Sequence, residues 1–467
     1  MQTRARHVLD YLSGEGAPHV VALACSTPVT SWQVGATHMR PGGAVSVTYR
    51  VRCKNAVGGG ESDVLVVVST EKIPRGSAQA IRFVLPAAAV PHGEPQINPT
   101  NQVGTETAGG GETVGTSSAV QTQQTVTASL WTYPNDPILT SLGWASEVES
   151  VRDILAQAPY PGGREVGAQV RSLTPVVYRP TRRAVLRADG DNGPVAWVKV
   201  ASAQRIEHLA ATLHMLGPAP VPVPRVLGRP SADTIIQAHG YGYPLAQLIA
   251  RDPFTAARMF PQIKYVLDQL PAQVTTLPRR SSWTDRRQHY AQAMVTLLPR
   301  LRPQVEELLA GIERLLVVNQ PQVPVHGDFF EANLLTDGRG ITTLLDLDSV
   351  GPGLRADDYA CLLAHVSVLP FLRPDRWVAA PATEPWRSRL DLFLPGRRCR
   401  DYADSETVLE AWRLQAEREC FARDLYARCA AVTLSLASST PVKFGEEEAL
   451  ARFRRAQWWL QLAADYA

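Results

Sequence analysis

The segment Val325–Gly351 contains the residues whose types and spacing are best suited to chemistry. It reads VHGDFFEANLLTDGRGITTLLDLDSVG, with a His-Gly-Asp triplet ending at Asp328, Asn333 five positions later, and Asp346 after an apolar run. Phosphoryl transfer requires a carboxylate that takes the proton of an acceptor hydroxyl, and hard oxygen ligands for the magnesium that bridges the phosphates. Asp328 could be that carboxylate, and the side chains of Asn333 and Asp346 could bind the metal.

Each of these residues also has a purely structural interpretation. Asp328 could be a turn residue, Asn333 could cap a helix, and the two carboxylates of Asp346 and Asp348 could be the solvated end of a strand. Asp348 leaves two alternatives open, a second metal contact or simple solvation. We expect His326 to be a buried hydrogen-bonding residue rather than a proton carrier.

The set of motifs resembles the aminoglycoside phosphotransferase family, a branch of the kinase-like fold. That family carries H-G-D-x-x-x-x-N, followed by a short strand that ends in Asp, and the residues that match this pattern are His326, Gly327, Asp328, Asn333 and Asp346. The resemblance implies that Asp328 is the catalytic base and that Asn333 and Asp346 bind Mg²⁺. It also implies that ATP is the phosphoryl donor.

Further elements of the resemblance precede this segment. Lys199, in the apolar stretch WVKV, occupies the position of the family's nucleotide-binding lysine on the third strand of the small lobe. Glu207, in the helix that follows, is its expected partner. Thr234–His239 falls where the hinge and the adenine contacts are expected, so Gln237 and His239 are further candidates for nucleotide binding.

The phosphate-covering loop and Asp358 are also compared with the family pattern. The small lobe has no GxGxxG motif, and the loop expected to cover the phosphates is Arg179–Arg183, whose arginines could add charge near the phosphates or face solvent. Asp358, in the stretch RADDYA, matches an Asp that closes the family's catalytic loop. The resemblance implies a structural role for it.

The elements needed to position these residues are those of an α+β, protein-kinase-like fold with two lobes. Short apolar strands alternate after residue 170, and Ile206, Leu209, Leu213 and Leu216 recur at helical spacing. The chain beyond Pro244 is mostly helical in pattern. We therefore predict a small β-rich lobe at 141–240 and a helical lobe with the catalytic loop at 241–467.

A separate N-terminal cap domain is predicted at 1–140. Its segment Ser46–Val51 alternates in polarity, and Val64–Val68 is a continuous apolar run, which predicts a β-rich domain. Residues 91–127 are rich in Gly, Thr, Gln and Pro, so they cannot bury enough apolar surface to offset their ordering entropy, and we predict a disordered insertion. A cap before the two lobes loosely resembles the arrangement in actinobacterial sugar kinases such as maltokinase.

The cap and the small lobe share a short sequence pattern. MRPGGAVSVTYRV, from Met39, and YRPTRRAVLRADG, from Tyr178, both contain Arg-Pro before a strand, and each is followed by a second apolar strand. Lys199 in the second copy has no counterpart in the first. The pattern is either an internal repeat or a coincidence between two strand pairs joined by proline-containing turns.

Composition limits the partners of the chain. The formal net charge is +3, charged residues make up 19% of the sequence, and no apolar run approaches the ~20 residues that a membrane-spanning helix needs. We expect no nucleic-acid or membrane partner and a cytoplasmic location. The six cysteines form no CxxC pair, which favours free thiols.

The predicted function is an ATP- and Mg²⁺-dependent phosphotransferase that transfers the γ-phosphoryl group to a hydroxyl of a small molecule. The acceptor could be a sugar, an amino sugar or an aminoglycoside. Polycationic aminoglycosides need several carboxylates, which Asp401, Asp404 and Glu406 could supply, but the slightly basic chain suits a neutral sugar or an amino sugar equally well. The alternative is a catalytically inactive kinase-like protein that binds a nucleotide or a partner.

Overall fold

The chain divides into two units that each contain a five-stranded sheet. The structure, a computed structural model, describes residues 2–39, 43–55, 60–74, 80–86, 126–317, 319–371, 404–440 and 445–466. The first unit comprises Met1–Gly143 together with Pro180–Arg182, and the second comprises Trp144–Arg179 together with Arg183–Ala467. Most of the predicted disordered insertion, up to residue 125, lies outside the described residues.

The first unit begins with two helices, α1 (Gln2–Ser13) and α2 (Ala17–Ala24), which the sequence interpretation did not predict. Ala5, Val8 and Leu12 are buried on one face of α1, against the first sheet. Their spacing is that of an amphipathic helix, so the signal was present in the sequence.

The sheet of the first unit confirms the predicted β-rich character of this region. Its strands pair in the order β1-β2-β3-β5-β4, and neighbouring strands are antiparallel. The strands are β1 (Val29–Met39), β2 (Val45–Lys54), β3 (Glu61–Ser69), β4 (Ile81–Val84) and β5 (Thr127–Thr132). The predicted end of the insertion at residue 127 was one residue too late, because Thr127 already belongs to β5.

Three residues from later in the chain, Pro180–Arg182, belong to the first unit. The backbone N–H of Thr181 donates to Oδ2 of Asp136 at 2.8 Å, and Arg182 forms an ion pair with Glu71 at 2.8 Å. These residues form the centre of the loop that was expected to cover the phosphates. Arg182 therefore has a carboxylate partner within the first unit.

The sheet of the second unit has the strand order β6-β7-β8-β10-β9, which is the order of the first sheet. Its strands are β6 (Ser172–Arg179), β7 (Arg183–Gly190), β8 (Gly193–Ala201), β9 (Val226–Ser231) and β10 (Thr234–Ala238). The shared order agrees with an internal repeat. Lys199 lies on β8, the third strand, as predicted, whereas β3 of the first sheet contains no lysine.

The rest of the second unit is mainly helical, which agrees with the predicted α+β fold class. Its helices are α4 (Val148–Gln157), α5 (Gly163–Gly167), α6 (Ala203–Leu216), α7 (Leu245–Arg251), α8 (Pro253–Ala257), α9 (Phe260–Asp268), α10 (Arg287–Leu297), α11 (Arg302–Leu315), α12 (Arg355–Val368), α13 (Ser405–Ala416), α14 (Ala422–Ser438) and α15 (Glu446–Ala464), and the short helix α3 (Leu142–Ala145) contains the boundary between the units. Helix α6 confirms the helical spacing predicted for its segment.

Short strands and 3₁₀ turns lie among these helices. The strands are β11 (Tyr243–Pro244), β12 (Val323–Val325), β13 (Leu334–Thr336), β14 (Ile341–Leu344) and β15 (Gly351–Gly353), and the 3₁₀ turns are Ala272–Thr276, Pro299–Leu301, Glu331–Asn333, Leu347–Ser349 and Leu369–Phe371. β11, β13 and β14 form one sheet, and β12 pairs with β15.

The helical core is built around α14, whose side chains are almost all buried. Trp459 of α15 is fully buried beside it and donates its indole N–H to Oγ of Ser367 at 3.2 Å, while its neighbour Trp458 is 40% exposed. Among the described helices, none is long and apolar enough to span a membrane. The five described cysteines are free thiols, as predicted.

Candidate active site

The predicted catalytic loop is held by a buried carboxylate on α12. Asp358 is 1% exposed, and it accepts the backbone N–H groups of His326 and Gly327, each at 2.8 Å. Burial raises the pKa of Asp358, while these two donors act in the opposite direction. The contacts agree with the structural role that the family pattern implies for this residue.

His326 joins the catalytic loop to the strand end that precedes Asp346. Its Nδ1 accepts the backbone N–H of Asp328 at 3.3 Å, so its Nε2 is the atom that donates to the carbonyl oxygen of Leu345, at 2.9 Å. The ring is fully buried. His326 is thus a connecting residue, as predicted, and both of its nitrogens are used.

Asn333 and Asp346 are brought together by the pairing of β13 with β14. Leu334 lies opposite Leu344, and the backbone N–H of Leu345 donates to the carbonyl of Asn333 at 2.8 Å. The side-chain amide of Asn333 donates to the carbonyl of Asp328 at 2.9 Å, which leaves its amide oxygen as the atom able to bind a cation. Asp346 follows β14 with a left-handed φ of 57°.

These two residues fit a magnesium ion by the chemistry of their donors. A carboxylate and an amide oxygen are hard ligands, and Mg²⁺ is commonly held by one or two protein carboxylates together with substrate phosphates and water. Within the described part of the chain, no group of three or more His, Cys, Asp or Glu side chains is arranged to hold a metal by itself. A site of this kind would therefore depend on the phosphates.

A cavity of about 280 Å³ lies between the second sheet on one side and β11, β13 and the residues after β14 on the other. It is lined by apolar side chains from both sides and by a few polar residues, which is typical of small-molecule sites. Four of the residues predicted to bind nucleotide or metal line it: Lys199, Gln237, His239 and Asp346.

The hinge segment closes one side of this cavity. Nδ1 of His239 accepts the indole N–H of Trp197 at 3.0 Å, and burial together with the nearby Arg187 lowers the pKa of His239. The backbone N–H of His239 is already bonded to the carbonyl of Val195 at 3.0 Å. Gln237 is 4% exposed and faces Trp197 in the strand register.

The predicted pairing of Lys199 with Glu207 is wrong. Glu207 is paired with Arg229 of β9, and its side chain is 68% exposed. The ammonium of Lys199 lies instead 4.0 Å from Oδ1 of Asp348. Glu207 points to solvent and Arg229, so nothing in the structure assigns it to the nucleotide.

Trp283 is a functional candidate that sequence reasoning missed. Its indole N–H donates to Oδ1 of Asp328 at 3.3 Å. Its ring stacks on Tyr290 with a centroid distance of 5.8 Å, and the guanidinium of Arg286 lies 4.6 Å from its ring centre. Trp283 lies far from the H-G-D motif in sequence, so no spacing could have revealed the contact.

The second sheet, the H-G-D loop and the helices that follow them have the arrangement of a kinase-like fold. Residues 181–388 match the model of the phosphotransferase enzyme family. The predicted family resemblance is thereby confirmed. The matched region begins at residue 181, so the likeness of the cap to that of sugar kinases stays a prediction.

Solved structures similar to this chain include a thermostable mutant of the aminoglycoside phosphotransferase APH(4)-Ia in its apo form, with 15% identity, 64% of this chain and 96% of that chain covered, and a TM-score of 0.44. A choline/ethanolamine kinase family protein from Mesorhizobium loti has 14% identity, 68% and 98% coverage, and a TM-score of 0.42. An aminoglycoside-3'-phosphotransferase of type VIII has 20% identity, 62% and 93% coverage, and a TM-score of 0.33. No curated protein sequence matches the chain.

Proposed function

We propose that the chain transfers the γ-phosphoryl group of ATP to a hydroxyl of a small molecule, with Mg²⁺ as its cofactor. The observation that carries the proposal is the lining of a single cavity by Lys199, the hinge residues Gln237 and His239, and Asp346. The catalytic loop with Asp328 is bonded to the end of that cavity through His326 and Asn333.

Each residue has a role in this proposal. Lys199 binds the nucleotide phosphates, and Gln237 and His239 border the adenine. Asn333 and Asp346 hold Mg²⁺, which neutralises charge on the phosphates. Asp328 orients the acceptor hydroxyl and takes its proton. The rate enhancement comes mainly from positioning and from charge stabilisation.

For the acceptor, we favour a neutral sugar or polyol over a polycation. The guanidinium of Arg286 lies over the stacked rings of Trp283 and Tyr290, beside Asp328, and its charge would repel a cationic acceptor. The nearby Asp285 is already paired with Arg279 at 2.7 Å. In the C-terminal segment, Glu406 and Asp404 were candidates to bind an aminoglycoside, but Glu406 is paired with Arg455.

Asp401, the third carboxylate considered for an aminoglycoside, lies outside the described residues. The choice between a neutral sugar or polyol and an aminoglycoside is therefore tested with a panel of acceptors. We expect phosphate transfer to sugars or polyols to exceed transfer to aminoglycosides when ATP consumption is measured for both groups. Faster turnover with aminoglycosides would contradict this assignment and leave the kinase proposal intact.

The kinase proposal is tested by thermal-shift titration with ATP and ADP, each with and without Mg²⁺. We expect nucleotide with Mg²⁺ to raise the melting temperature of the wild type, because a ligand at about 100 times its Kd stabilises the folded state by about 2.7 kcal/mol. In the Asp346→Asn variant, the part of this rise in melting temperature that depends on Mg²⁺ should be lost. Asp191→Asn is the matched control, since its carboxylate is exposed and pairs with Arg171 at the surface.

The absence of any shift with either nucleotide would remove the proposal. A shift that depends on nucleotide, without turnover of any acceptor in the panel, would favour the catalytically inactive, nucleotide-binding alternative.

A further inference from the structure

The position of Asp348 gives it a role that neither the family pattern nor the proposed roles assign. It lies in the 3₁₀ turn Leu347–Ser349, directly after Asp346. Leu347 is 1% exposed, so this turn is fixed to the core by its apolar side chain. The turn follows the left-handed backbone at Asp346, which redirects the chain at the end of β14.

The charges around Lys199 make Asp348 its counterion. Their charged atoms are 4.0 Å apart, and the two side chains are 19% and 35% exposed, respectively. Oδ1 of Asp348 is buried and has no hydrogen-bond partner in the described part of the chain, and the ammonium of Lys199 supplies a compensating charge beside it. Arg183 and Arg205 line the same small cavity as Lys199, Asp346 and Asp348.

The residue of helix α6 that lies near Asp348 is His208. The predicted partner of Lys199 on this helix was Glu207. Burial and the nearby Arg280 lower the pKa of His208, the neighbour of Glu207, while the carboxylate of Asp348 lies close enough to oppose this shift. Asp348 therefore lies between the lysine of β8 and the helix that follows it, whereas Glu207 is directed to Arg229.

We propose that Asp348, and not Glu207, is the carboxylate that positions Lys199 for the nucleotide phosphates. A lysine has a long, flexible stem, so a fixed carboxylate beside its ammonium limits the orientations that it samples. Asp348 acts through Lys199 and is a positioning residue. The inference rests on the proposed function, because it takes Lys199 as the phosphate ligand.

The test measures the Kd for ADP by calorimetry on the full chain, both in EDTA and with Mg²⁺. We expect Asp348→Asn to weaken ADP binding about fivefold in both conditions, which is the size of a partly exposed ion pair. Glu207→Gln, the matched control on α6, should stay within about twofold of the wild type. Unchanged melting temperatures of the free proteins establish that both variants are folded.

A double-mutant cycle separates positioning from a structural effect. In a Lys199→Met background, Asp348→Asn should cause no further loss of ADP affinity, because the residue through which it acts is gone. A full additional loss in that background would overturn the inference. So would equal affinities for Asp348→Asn and the wild type.

The comparison of EDTA with Mg²⁺ addresses the alternative role left open by the sequence. If Asp348→Asn weakens ADP binding only when Mg²⁺ is present, Asp348 is a metal contact, and the inference is overturned. If the wild type binds no ADP in either condition, the proposed function fails, and this inference fails with it. If the wild type binds ADP, the nucleotide site stands, and the experiment decides only the role of Asp348.

Discussion

The indole N–H of Trp283 and the carboxylate of Asp328 are joined by a hydrogen bond of 3.3 Å, across 45 positions of sequence. Trp283 does not line the cavity that holds Lys199 and the hinge. In the proposed mechanism, this contact acts on the general base, whose orientation matters more for the acceptor than for nucleotide affinity.

Replacing Trp283 by Phe keeps an aromatic ring and removes the donor. We expect kcat to fall about two- to tenfold, which corresponds to the loss of one hydrogen bond, with little change in the KM for ATP. Steady-state kinetics at varied ATP measures both quantities. Trp458→Phe, at an exposed ring in α15, is the control, and equal kcat values for the two variants would contradict a role for the indole.

Gly327 cannot be replaced without strain in the catalytic loop. Its φ is 78°, and a Cβ at this position would come within 2.6 Å of the carbonyl oxygen of Ser349. We expect Gly327→Ala to lower the free energy of unfolding by at least about 1–2 kcal/mol and to abolish most activity, because the loop must shift. Gly340→Ala is the matched control, since nothing lies within 4 Å of its added Cβ. Urea unfolding of both variants checks the difference, and equal stabilities would refute it.

The carboxylate of Asp358 is expected to be needed for stability as well as for loop geometry. In Asp358→Asn, an amide N–H₂ must face one of the two backbone donors that the carboxylate now accepts. This mismatch should cost about 1–3 kcal/mol in the free energy of unfolding. Denaturant unfolding measures the cost against Asp153→Asn, which changes an exposed carboxylate on α4. A loss no greater than that of the control would show that the loop is held by other contacts.

His365 gives a prediction about pH. Burial, with a smaller effect of Arg452, lowers the pKa of His365 to about 4 in the folded protein, from an ordinary value of 6.5. The unfolded chain therefore binds a proton between about pH 6.5 and pH 4 that the folded chain excludes, so this histidine lowers stability as the pH falls through that window. This loss of stability is complete below about pH 4 and absent above about pH 6.5.

The variant His365→Gln isolates this contribution, because glutamine does not titrate. The difference in free energy of unfolding between variant and wild type should move in favour of the variant on acidification, by at most about 3 kcal/mol. Urea unfolding at several pH values provides the measurement. A difference that is constant with pH would mean that His365 is protonated in the folded state as easily as in the unfolded one.

The motif residues were predictable because the chemistry itself restricts their spacing. The stretch from His326 to Asp346 folds through local pairing of β13 with β14, so sequence order carries the geometry. The partner of Lys199 was not predictable in this way. Glu207 lies at the expected place on α6, but Arg229 of β9 takes its carboxylate, and β9 approaches only through the folded sheet.

The first unit was predicted less completely for a related reason. Its strands β2 and β3 carry continuous apolar patterns and were identified, whereas the helical pattern of α1 consists of three buried apolar residues, Ala5, Val8 and Leu12. The identical strand order of the two sheets is a property of long-range pairing, so the short shared sequence pattern could only hint at it.

The assignment of Pro180–Arg182 to the first unit has a practical consequence for dissecting the protein. The chain enters that unit twice, so no single cut in the gene yields two complete fragments. A fragment that ends at Gly143 would leave the carboxylates of Asp136 and Glu71 without Thr181 and Arg182. Expressing the first unit alone would require that the segment Pro180–Arg182 be attached to it by a designed linker or by circular permutation. The second unit would in turn need a replacement for these three residues between β6 and β7.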